Sequence, residues 1–305
     1  MCNPRSVLLA WLFFLLLAEV SDAQWVQTNG PNGGTVSSSV VCGSDLFAAV
    51  AYSGVFRSTN NGDNWVPVDT SLKAADVWSL AANGSNVFAG NEHGVFLSTD
   101  HGGSWTSVIT GLTHTFIQCF AVSGSYLFAG TMDGGVFLST NNGGSWMPVN
   151  AGMESAGISS LAVSGPNVFA GVGGGGVFRS TNNGVTWTYS NTGLGSTPVA
   201  CLTFSGVNLL AGTWGDGIFL STDNGESWKP ADKGLTRPYV ETYVGAFAVS
   251  GGNLFAGTWG AGVFLSTDSG GTWTPVNTGL TNTDVLAHAV SGRNLYAGER
   301  LPFYQ

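Results

Sequence analysis

The sequence has little charge: only 9% of its 305 residues are Asp, Glu, Lys or Arg, where a globular chain usually carries about a quarter. Basic residues are the scarcest, with 9 Lys plus Arg against 18 Asp plus Glu and a formal net charge of −9. Because phosphate binding requires clustered basic side chains, this balance argues against a nucleic-acid partner. Hydrophobic residues make up 43% and aromatic residues 12%, so the composition also excludes a disordered chain.

Cysteine is also rare. One of the four cysteines lies at the extreme N-terminus, and the other three are Cys42, Cys119 and Cys201. They are far apart, with no C-x-x-C pair and no paired histidines, so the sequence predicts neither a disulfide framework nor a metal site. We expect the three to be small buried hydrophobic residues and expect no cofactor.

Long apolar runs are almost absent. The one clear run, residues 7–18, follows Arg5 and is too short to cross a bilayer as an ordinary helix. Ser21 and Ala23 then place small residues at both specificity positions of a leader-peptidase site. We therefore expect a signal peptide at 1–23, cleaved after Ala23, and one secreted or periplasmic domain at 24–305 with no membrane span.

Internal repetition dominates the remaining sequence. Six octets share the pattern Ser-Thr-Asp/Asn-x-Gly-x-x-Trp, and their tryptophans are 40, 41, 41, 41 and 45 residues apart. The octets are STNNGDNW (58–65), STDHGGSW (98–105), STNNGGSW (139–146), STNNGVTW (180–187), STDNGESW (221–228) and STDSGGTW (266–273). Between them lie short β-branched and aromatic runs bounded by Gly, Asn and Ser, which indicate strands and hairpins. Four antiparallel strands in such a period are typical of a propeller blade.

Each octet is predicted to form a turn with a structural role. The third-position Asp or Asn can accept bonds from backbone N–H groups two residues on, and the fifth-position Gly adopts a conformation that a Cβ would resist. The closing Trp buries its ring against the hairpin. The structural residues are Asn60, Trp65, Asp100, Trp105, Asn141, Trp146, Asn182, Trp187, Asp223, Trp228, Asp268 and Trp273.

These octets match the Asp-box, or BNR, motif S-x-D-x-G-x-x-W, and the chain resembles Asp-box propellers over essentially all of residues 24–300. Asn replaces Asp in three copies, and its amide oxygen can accept the same bonds. The resembled proteins include sialidases, xyloglucan-cleaving enzymes and the photosystem II assembly factor, so the resemblance implies a β-propeller fold without implying one activity.

The repeats predict an all-β, seven-bladed β-propeller of four-stranded antiparallel blades with Asp-box turns. The innermost strands should end near Cys42, Asn83, Ser123, Ser164, Ser205, Ser250 and Ser291. The last blade has two clear strands, at 284–298, and no octet. Trp25, in a segment that parallels 272–279, can supply its missing outer strand. We therefore expect the ring to be closed by the N-terminal strand in the last blade.

A candidate binding site lies on the face opposite the octets. Trp214 and Trp259 occupy equivalent second-to-third-strand turns of the predicted blades five and six. The long connection between these blades, 231–243, is expected to bring further polar and aromatic side chains to the same face: Arg237, Tyr239, Glu241 and Tyr243, beside Asp216. Aromatic planes with a few hydrogen-bonding groups are typical of a sugar or peptide site. The structural alternative is that both tryptophans cap the sheet.

Catalytic residues are not evident. Leu or Phe fills one innermost-strand position in five blades, but Ser39 and His288 occupy it in the first and last. A facing Ser–His pair could be a nucleophile and base; without a third orienting acid, a hydrogen-bonded pair in the closing seam is the simpler interpretation. We predict no catalytic residue from this pair.

The resemblance to sialidases implies three arginines that converge on a substrate carboxylate. Arg57, Arg179 and Arg293 are expected on the octet face, which leaves only Arg237 and Arg300 near the opposite mouth. The trio is therefore not expected to assemble, and the Phe-Arg-Ile-Pro signature of that family is absent.

Two functions are compatible with these residues. The first is a secreted, non-catalytic, monomeric binding or scaffold propeller that recognises a carbohydrate or an extended peptide. The alternative is a glycoside hydrolase, such as a sialidase-like exo-glycosidase, because open-face carboxylates are numerous enough for one pair to lie at a catalytic separation.

Overall fold

The computed structural model describes residues 25–28, 30–31, 34–68, 72, 76–153, 156–235, 242–292 and 294–299. The predicted signal peptide lies outside these residues. Within them the structure is all-β, with 26 strands and no helix, and hence no helix long and apolar enough to cross a membrane.

The strands repeat in the order that the octets predict. The innermost strands are β1 (Val36–Cys42), β5 (Ser79–Asn83), β9 (Ile117–Ser123), β13 (Ile158–Ser164), β17 (Val199–Ser205), β21 (Thr242–Ser250) and β25 (Val285–Ser291). The second strands are β2 (Asp45–Val50), β6 (Asn86–Asn91), β10 (Tyr126–Thr131), β14 (Asn167–Val172), β18 (Asn208–Gly215), β22 (Asn253–Thr258) and β26 (Asn294–Glu299).

The third and fourth strands are shorter. The third strands are β3 (Gly54–Ser58), β7 (Gly94–Ser98), β11 (Val136–Ser139), β15 (Val177–Ser180), β19 (Ile218–Ser221) and β23 (Gly262–Ser266). The fourth strands are β4 (Val66–Pro67), β8 (Thr106–Ser107), β12 (Met147–Pro148), β16 (Thr188–Tyr189), β20 (Lys229–Pro230) and β24 (Thr274–Pro275). Each run of four pairs antiparallel in chain order, and we call these runs blades one to six.

The blades are arranged in a ring. Each innermost strand contacts the next one, and β25 contacts β1, so the last described hairpin lies beside blade one. The antiparallel register places the octets at one end of the blades, the octet face. The second-to-third-strand turns and the blade-to-blade connections lie at the other end, the open face.

The core consists of clusters between neighbouring blades. Second strands supply its largest fully buried side chains, among them Phe47, Phe88, Phe128 and Phe169. Each cluster combines one blade with the next; for example, Phe88 packs with Phe137 and Trp146. Burial of aromatic rings between blades, at about 25 cal/mol per Å² of apolar surface, therefore holds adjacent blades together.

The Asp-box turn is built by a serine and an acid together. The Ser98 hydroxyl donates to Asp100 Oδ1 at 2.8 Å and accepts a hydrogen bond from the Gly102 N–H at 2.8 Å. Asp100 Oδ1 also accepts the Ser104 N–H at 2.9 Å, four residues on, so the expected bond to a residue two positions on is wrong. The reason is that His101, at φ 57°, and Gly102, at φ 86°, are both left-handed and turn the chain back sharply.

The substitution of Asn for Asp preserves this turn. Asn141 Oδ1 accepts the Ser145 N–H at 2.8 Å, as Asp100 does for Ser104. The amide oxygen therefore replaces the carboxylate oxygen, as predicted.

Octet tryptophans fasten each blade to the preceding one. The Trp146 backbone N–H donates to Thr110 O, and its indole Nε1 donates to Val108 O, both at 2.8 Å. The same pair of bonds recurs at Trp187, Trp228 and Trp273. The indoles of Trp65 and Trp105 differ, because within the described chain their Nε1 atoms are buried without a partner.

Trp25 makes these same two bonds for the last hairpin. Its N–H donates to Thr278 O at 2.9 Å and its Nε1 donates to Val276 O. The N-terminal segment therefore occupies the position of an octet tryptophan and joins the chain's two ends. The third strand of the predicted seventh blade would fall at 300–305, outside the described residues, so the count of seven complete blades stays a prediction.

Candidate functional site

Blades five and six share a strand pairing that other neighbouring blades lack among the described residues. β18 has 8 residues and extends past its innermost partner to pair with β21. In this extension Trp214 lies opposite Tyr243, and Gly215 lies opposite Thr242. Opposite residues of an antiparallel ladder present their side chains on the same face, which brings the Trp214 and Tyr243 rings into contact.

Tyr243 lies between the two tryptophans that the sequence singled out. Its ring centroid is 5.0 Å from that of Trp214 and 5.5 Å from that of Trp259, with interplanar angles of 75° and 79°. Both contacts are edge-to-face, a favourable geometry for aromatic quadrupoles. We call Trp214, Tyr243 and Trp259 the aromatic triad.

The two tryptophans of the triad are exposed although their backbone is held by hydrogen bonds. Trp214 is 55% and Trp259 is 42% exposed. The Trp214 N–H donates to Pro198 O, and the Trp259 N–H donates to Tyr243 O, each at 3.1 Å. Large aromatic side chains held at the surface are typical of interaction sites. The structure therefore does not bury these tryptophans as caps of the sheet.

A glycine makes room for the central ring. A Cβ on Gly245 would lie 2.9 Å from Tyr243 Cε1 and 3.3 Å from Leu286 Cδ2. Such a separation is too short for carbon atoms in contact. The glycine in β21 therefore permits Tyr243 to lie over the innermost strand.

Asp216 lies in the same turn as Trp214. It is exposed, and its Oδ2 accepts a hydrogen bond from the Thr197 hydroxyl at 3.1 Å. The other predicted site residues, Arg237, Tyr239 and Glu241, lie outside the described residues. The structure thus brings together Trp214, Tyr243 and Trp259, with Asp216 in the turn that carries Trp214.

A second aromatic pair on the open face was not predicted from the sequence. Trp78, 43% exposed, stacks on Phe116 with ring centroids 5.9 Å apart and an interplanar angle of 28°. The position of Phe116, immediately before the buried first residue of β9, corresponds to that of Tyr243 before Val244. This correspondence between repeats is the sequence feature from which the Trp78–Phe116 pair could have been predicted.

Ser39 and His288 do not form the expected pair. Neither Ser39 Oγ nor either ring nitrogen of His288 has a hydrogen-bond partner in the described structure. His288 instead packs against blade six, with its Cε1 2.9 Å from the position of a Cβ on Gly257. Equivalent positions of successive blades point the same way round the ring, so Ser39 is directed at β26 and not at His288. The predicted hydrogen-bonded pair is therefore wrong, and the two side chains make no nucleophile–base contact in the described structure.

Burial lowers the pKa of His288 to about 4, because a low-dielectric surrounding disfavours the imidazolium. Burial also raises the pKa of the Cys119 thiol to about 12 and that of the Cys201 thiol above its usual range. Cys42, like these two, is a free cysteine, and no group of possible metal ligands occurs among the described residues. These residues therefore act as packing groups.

Two arginines lie on the octet face. Arg57 Nη2 is 2.6 Å from Asp45 Oδ2, and Arg179 Nη1 is 3.5 Å from Glu226 Oε1 in the next blade's octet. Both are engaged with carboxylates far from the open face. They cannot join a substrate-binding arginine trio at the aromatic triad.

The comparison with protein families agrees with the turn geometry. The family model described as "BNR/Asp-box repeat" matches residues 219–230, which include the whole fifth octet. The chain contains a BNR/Asp-box repeat. The other five octets make the same Asp-box hydrogen bonds, as Ser139–Asn141 and Ser266–Asp268 show at 2.9 and 2.8 Å. No curated protein matches the chain.

Solved structures with similar folds include proteins of several functions. The structure of YCF48 bound to D1 peptide has a TM-score of 0.72 at 15% identity, covering 90% of this chain and 93% of that one. The extracellular domain of a putative one-component system from B. thetaiotaomicron has a TM-score of 0.75 at 14% identity, covering 91% and 39%. The GH74 xyloglucanase from Xanthomonas campestris has a TM-score of 0.65 at 18% identity, covering 81% and 48%. At these identities the likeness establishes the β-propeller fold of this Asp-box chain and no particular activity.

Proposed function

We propose that this protein is a secreted, non-catalytic binding propeller whose recognition surface is the open face at the aromatic triad. The observation that carries the proposal is the exposure of Trp214 and Trp259 on a backbone held by the ladder between blades five and six. Rigid, exposed aromatic rings supply contact area with little entropic cost on binding. The ligand classes that suit such a surface are an extended peptide and a carbohydrate.

The hydrogen bonds of open-face carboxylates favour binding over hydrolysis. Asp76 Oδ1 accepts the Tyr52 N–H at 2.7 Å, and Glu299 accepts from the Thr281 hydroxyl at 2.9 Å. Asp216 accepts from Thr197. These carboxylates stabilise turns and connections, whereas glycoside hydrolysis needs a pair of carboxyl groups directed at one bond.

The fold comparisons are consistent with a binding role. One similar structure contains YCF48 with a bound D1 peptide, and another is the extracellular domain of a putative one-component system. The expected signal peptide would place this chain in a similar extracytoplasmic setting. Glycoside hydrolysis is kept as an outcome of the test, because GH74 propellers share the fold.

The test uses the purified protein on a glycan array and a peptide array. We expect a ligand that the double variant Trp214→Ala/Trp259→Ala no longer binds, with a melting temperature within a few degrees of the native value. Tyr189→Ala is the matched control, because Tyr189 is a 70% exposed aromatic residue in the outermost strand of blade four, outside the turns and connections of the open face.

Three results would overturn the proposal. The first is an absence of binding on both arrays, and the second is equal binding by the native protein and the double variant. The third is turnover of fluorogenic glycosides that is abolished by Asp216→Asn, which would make the protein a hydrolase.

A further inference from the structure

Three exposed apolar side chains on the open face lie close to carboxylates, in the same turn or through a hydrogen bond. In blade one, Tyr52 is 84% exposed and its N–H is bound by Asp76 Oδ1. In blade three, Met132 is 54% exposed and precedes the exposed Asp133. In blade five, Trp214 precedes the exposed Asp216 by two residues. We call these three combinations the apolar–acidic pairs.

Among the described residues, most charged side chains of the open face are acidic. Within the described part of the chain, Lys233 is the one lysine or arginine in the second-to-third-strand turns and blade-to-blade connections. The described carboxylates of this face are Asp76, Glu92, Asp133, Asp216, Asp232, Asp284 and Glu299. The octet face is more balanced, because Arg57 and Arg179 lie there beside carboxylates.

An apolar surface edged by carboxylates is complementary to long cationic side chains. The methylene stem of Lys or Arg packs on an aromatic ring or a methionine, while its charged head remains near a carboxylate. A cation over the face of Trp or Tyr also gains about 0.5–2 kcal/mol from the ring quadrupole. Each apolar–acidic pair provides both components, within one turn in blades three and five and between a turn and a connection joined by a hydrogen bond in blade one.

The same charges disfavour other occupants. A nucleic acid or an acidic polysaccharide would be repelled by this face, since like charges brought together at an interface oppose association. A neutral glycan can donate hydroxyl hydrogen bonds to these carboxylates, but it brings no positive charge to offset their loss of hydration.

We propose that the ligand of the open face is an extended basic peptide segment, with Lys or Arg side chains seated at the apolar–acidic pairs of blades one, three and five. This inference rests on the proposed function, because it assumes that the open face is the recognition surface. It adds the chemical class of the ligand and two positions, in blades one and three, away from the aromatic triad.

The probe is a pair of fluorescein-labelled 15-residue peptides that are identical except that Gln replaces every Lys and Arg in the second. Fluorescence anisotropy measures the dissociation constants of both at 20 mM and 200 mM NaCl. We expect the basic peptide to bind at least tenfold more tightly than the Gln peptide, and its affinity to fall at least fivefold at the higher salt concentration, because screening weakens exposed ion pairs.

The variant Asp76→Asn/Asp133→Asn/Asp216→Asn tests the position of the site. Asn keeps an acceptor oxygen for the Tyr52 N–H and the Thr197 hydroxyl, so the turns are preserved. The matched control removes three charges from the octet face, Asp100→Asn/Asp223→Asn/Asp268→Asn, which converts three boxes to the Asn form already present at Asn141. We expect at least tenfold weaker binding by the open-face variant and less than a twofold change for the control.

The outcomes separate the two proposals. Equal loss in both triple variants, or equal affinity for the two peptides, overturns the basic ligand. If the Trp214→Ala/Trp259→Ala protein loses an array ligand that the open-face Asn variant still binds, the recognition surface stands and the basic ligand falls. If the basic peptide binds the tryptophan variant normally but not the Asn variant, the triad proposal falls instead.

Discussion

The Tyr296 hydroxyl donates a hydrogen bond to the Asn61 carbonyl oxygen at 3.3 Å, across a separation of 235 residues in the sequence. The Tyr296 ring also packs on Gly62, with its Cε1 3.3 Å from the position of a Cβ on that glycine. Phe47 packs on Gly102 in the same way, between blades one and two. The seam between the last hairpin and blade one therefore repeats the packing used elsewhere in the ring.

The contacts of Trp25 with Val276 and Thr278, which we call the Trp25 latch, predict that the N-terminal segment stabilises the fold. Trp25→Ala should lower the free energy of unfolding by about 3 kcal/mol, because it removes a packed ring and the indole hydrogen bond to Val276 O in the connection after β24. Urea denaturation measures the change. Val26→Ala is the control, since Val26 is 79% exposed, and it should change stability by less than about 0.5 kcal/mol. Equal effects of the two variants would contradict the latch.

A glycine on the partner side of this latch provides an independent test. Gly279 has φ 86°, and a Cβ there would collide with the Trp25 carbonyl oxygen. Gly43 has φ 64° with nothing within 4 Å of a Cβ, so Gly43→Ala measures the cost of a left-handed backbone alone, about 1–2 kcal/mol. Gly279→Ala should cost clearly more by urea denaturation. A cost no larger than that of Gly43→Ala would show that the close approach is unimportant.

The Asp-box carboxylates predict a loss of folding stability at acidic pH. Hydrogen bonds to their carboxylates, led by the Ser104 side chain at Asp100, the Ser227 side chain at Asp223 and the Thr272 N–H at Asp268, lower the pKa of each to about 2. A lowered folded-state pKa means that this stabilisation is present above the unfolded value, about 3.9, and is lost as the pH falls toward 2. The octet-face variant Asp100→Asn/Asp223→Asn/Asp268→Asn should therefore show a smaller fall in melting temperature between pH 4 and pH 2 than the native protein. If the melting temperature of this variant fell with pH as steeply as that of the native protein, the Asp boxes would not be the origin of the loss of stability at acidic pH.

His288 predicts a second pH dependence at higher pH. Its folded-state pKa of about 4 lies below the unfolded value, about 6.5. The stability that depends on a neutral His288 is therefore fully present above pH 6.5 and is lost as the pH decreases toward 4. The loss is at most about 3 kcal/mol. His288→Leu, which installs the residue found at this position in other blades, should remove this slope and raise stability at pH 5. Thermal unfolding from pH 4 to pH 7 measures it.

The control for this prediction is His93→Gln, because the His93 side chain is 65% exposed. It should retain the native pH profile. A slope that persists in His288→Leu would assign the pH dependence to other groups.

The sequence by itself determined the repeating architecture. An octet such as 98–105 specifies its own turn, because Ser98, Asp100 and Gly102 bond within eight residues and need no distant partner. The Trp25 equivalence was also visible, since a repeated residue must occupy a repeated position. Strand alternation and turn chemistry are local properties, which explains why they could be predicted.

Tertiary structure alone decided which side chains meet. Tyr243 lies between Trp214 and Trp259 because β18 pairs with β21 across blades, a register set by residues far apart in sequence. Ser39 and His288 occupy adjacent blades yet do not face each other, because rotation round the ring points equivalent positions the same way. Contacts between blades depend on the position and twist of whole sheets, and a pattern within one repeat does not encode them.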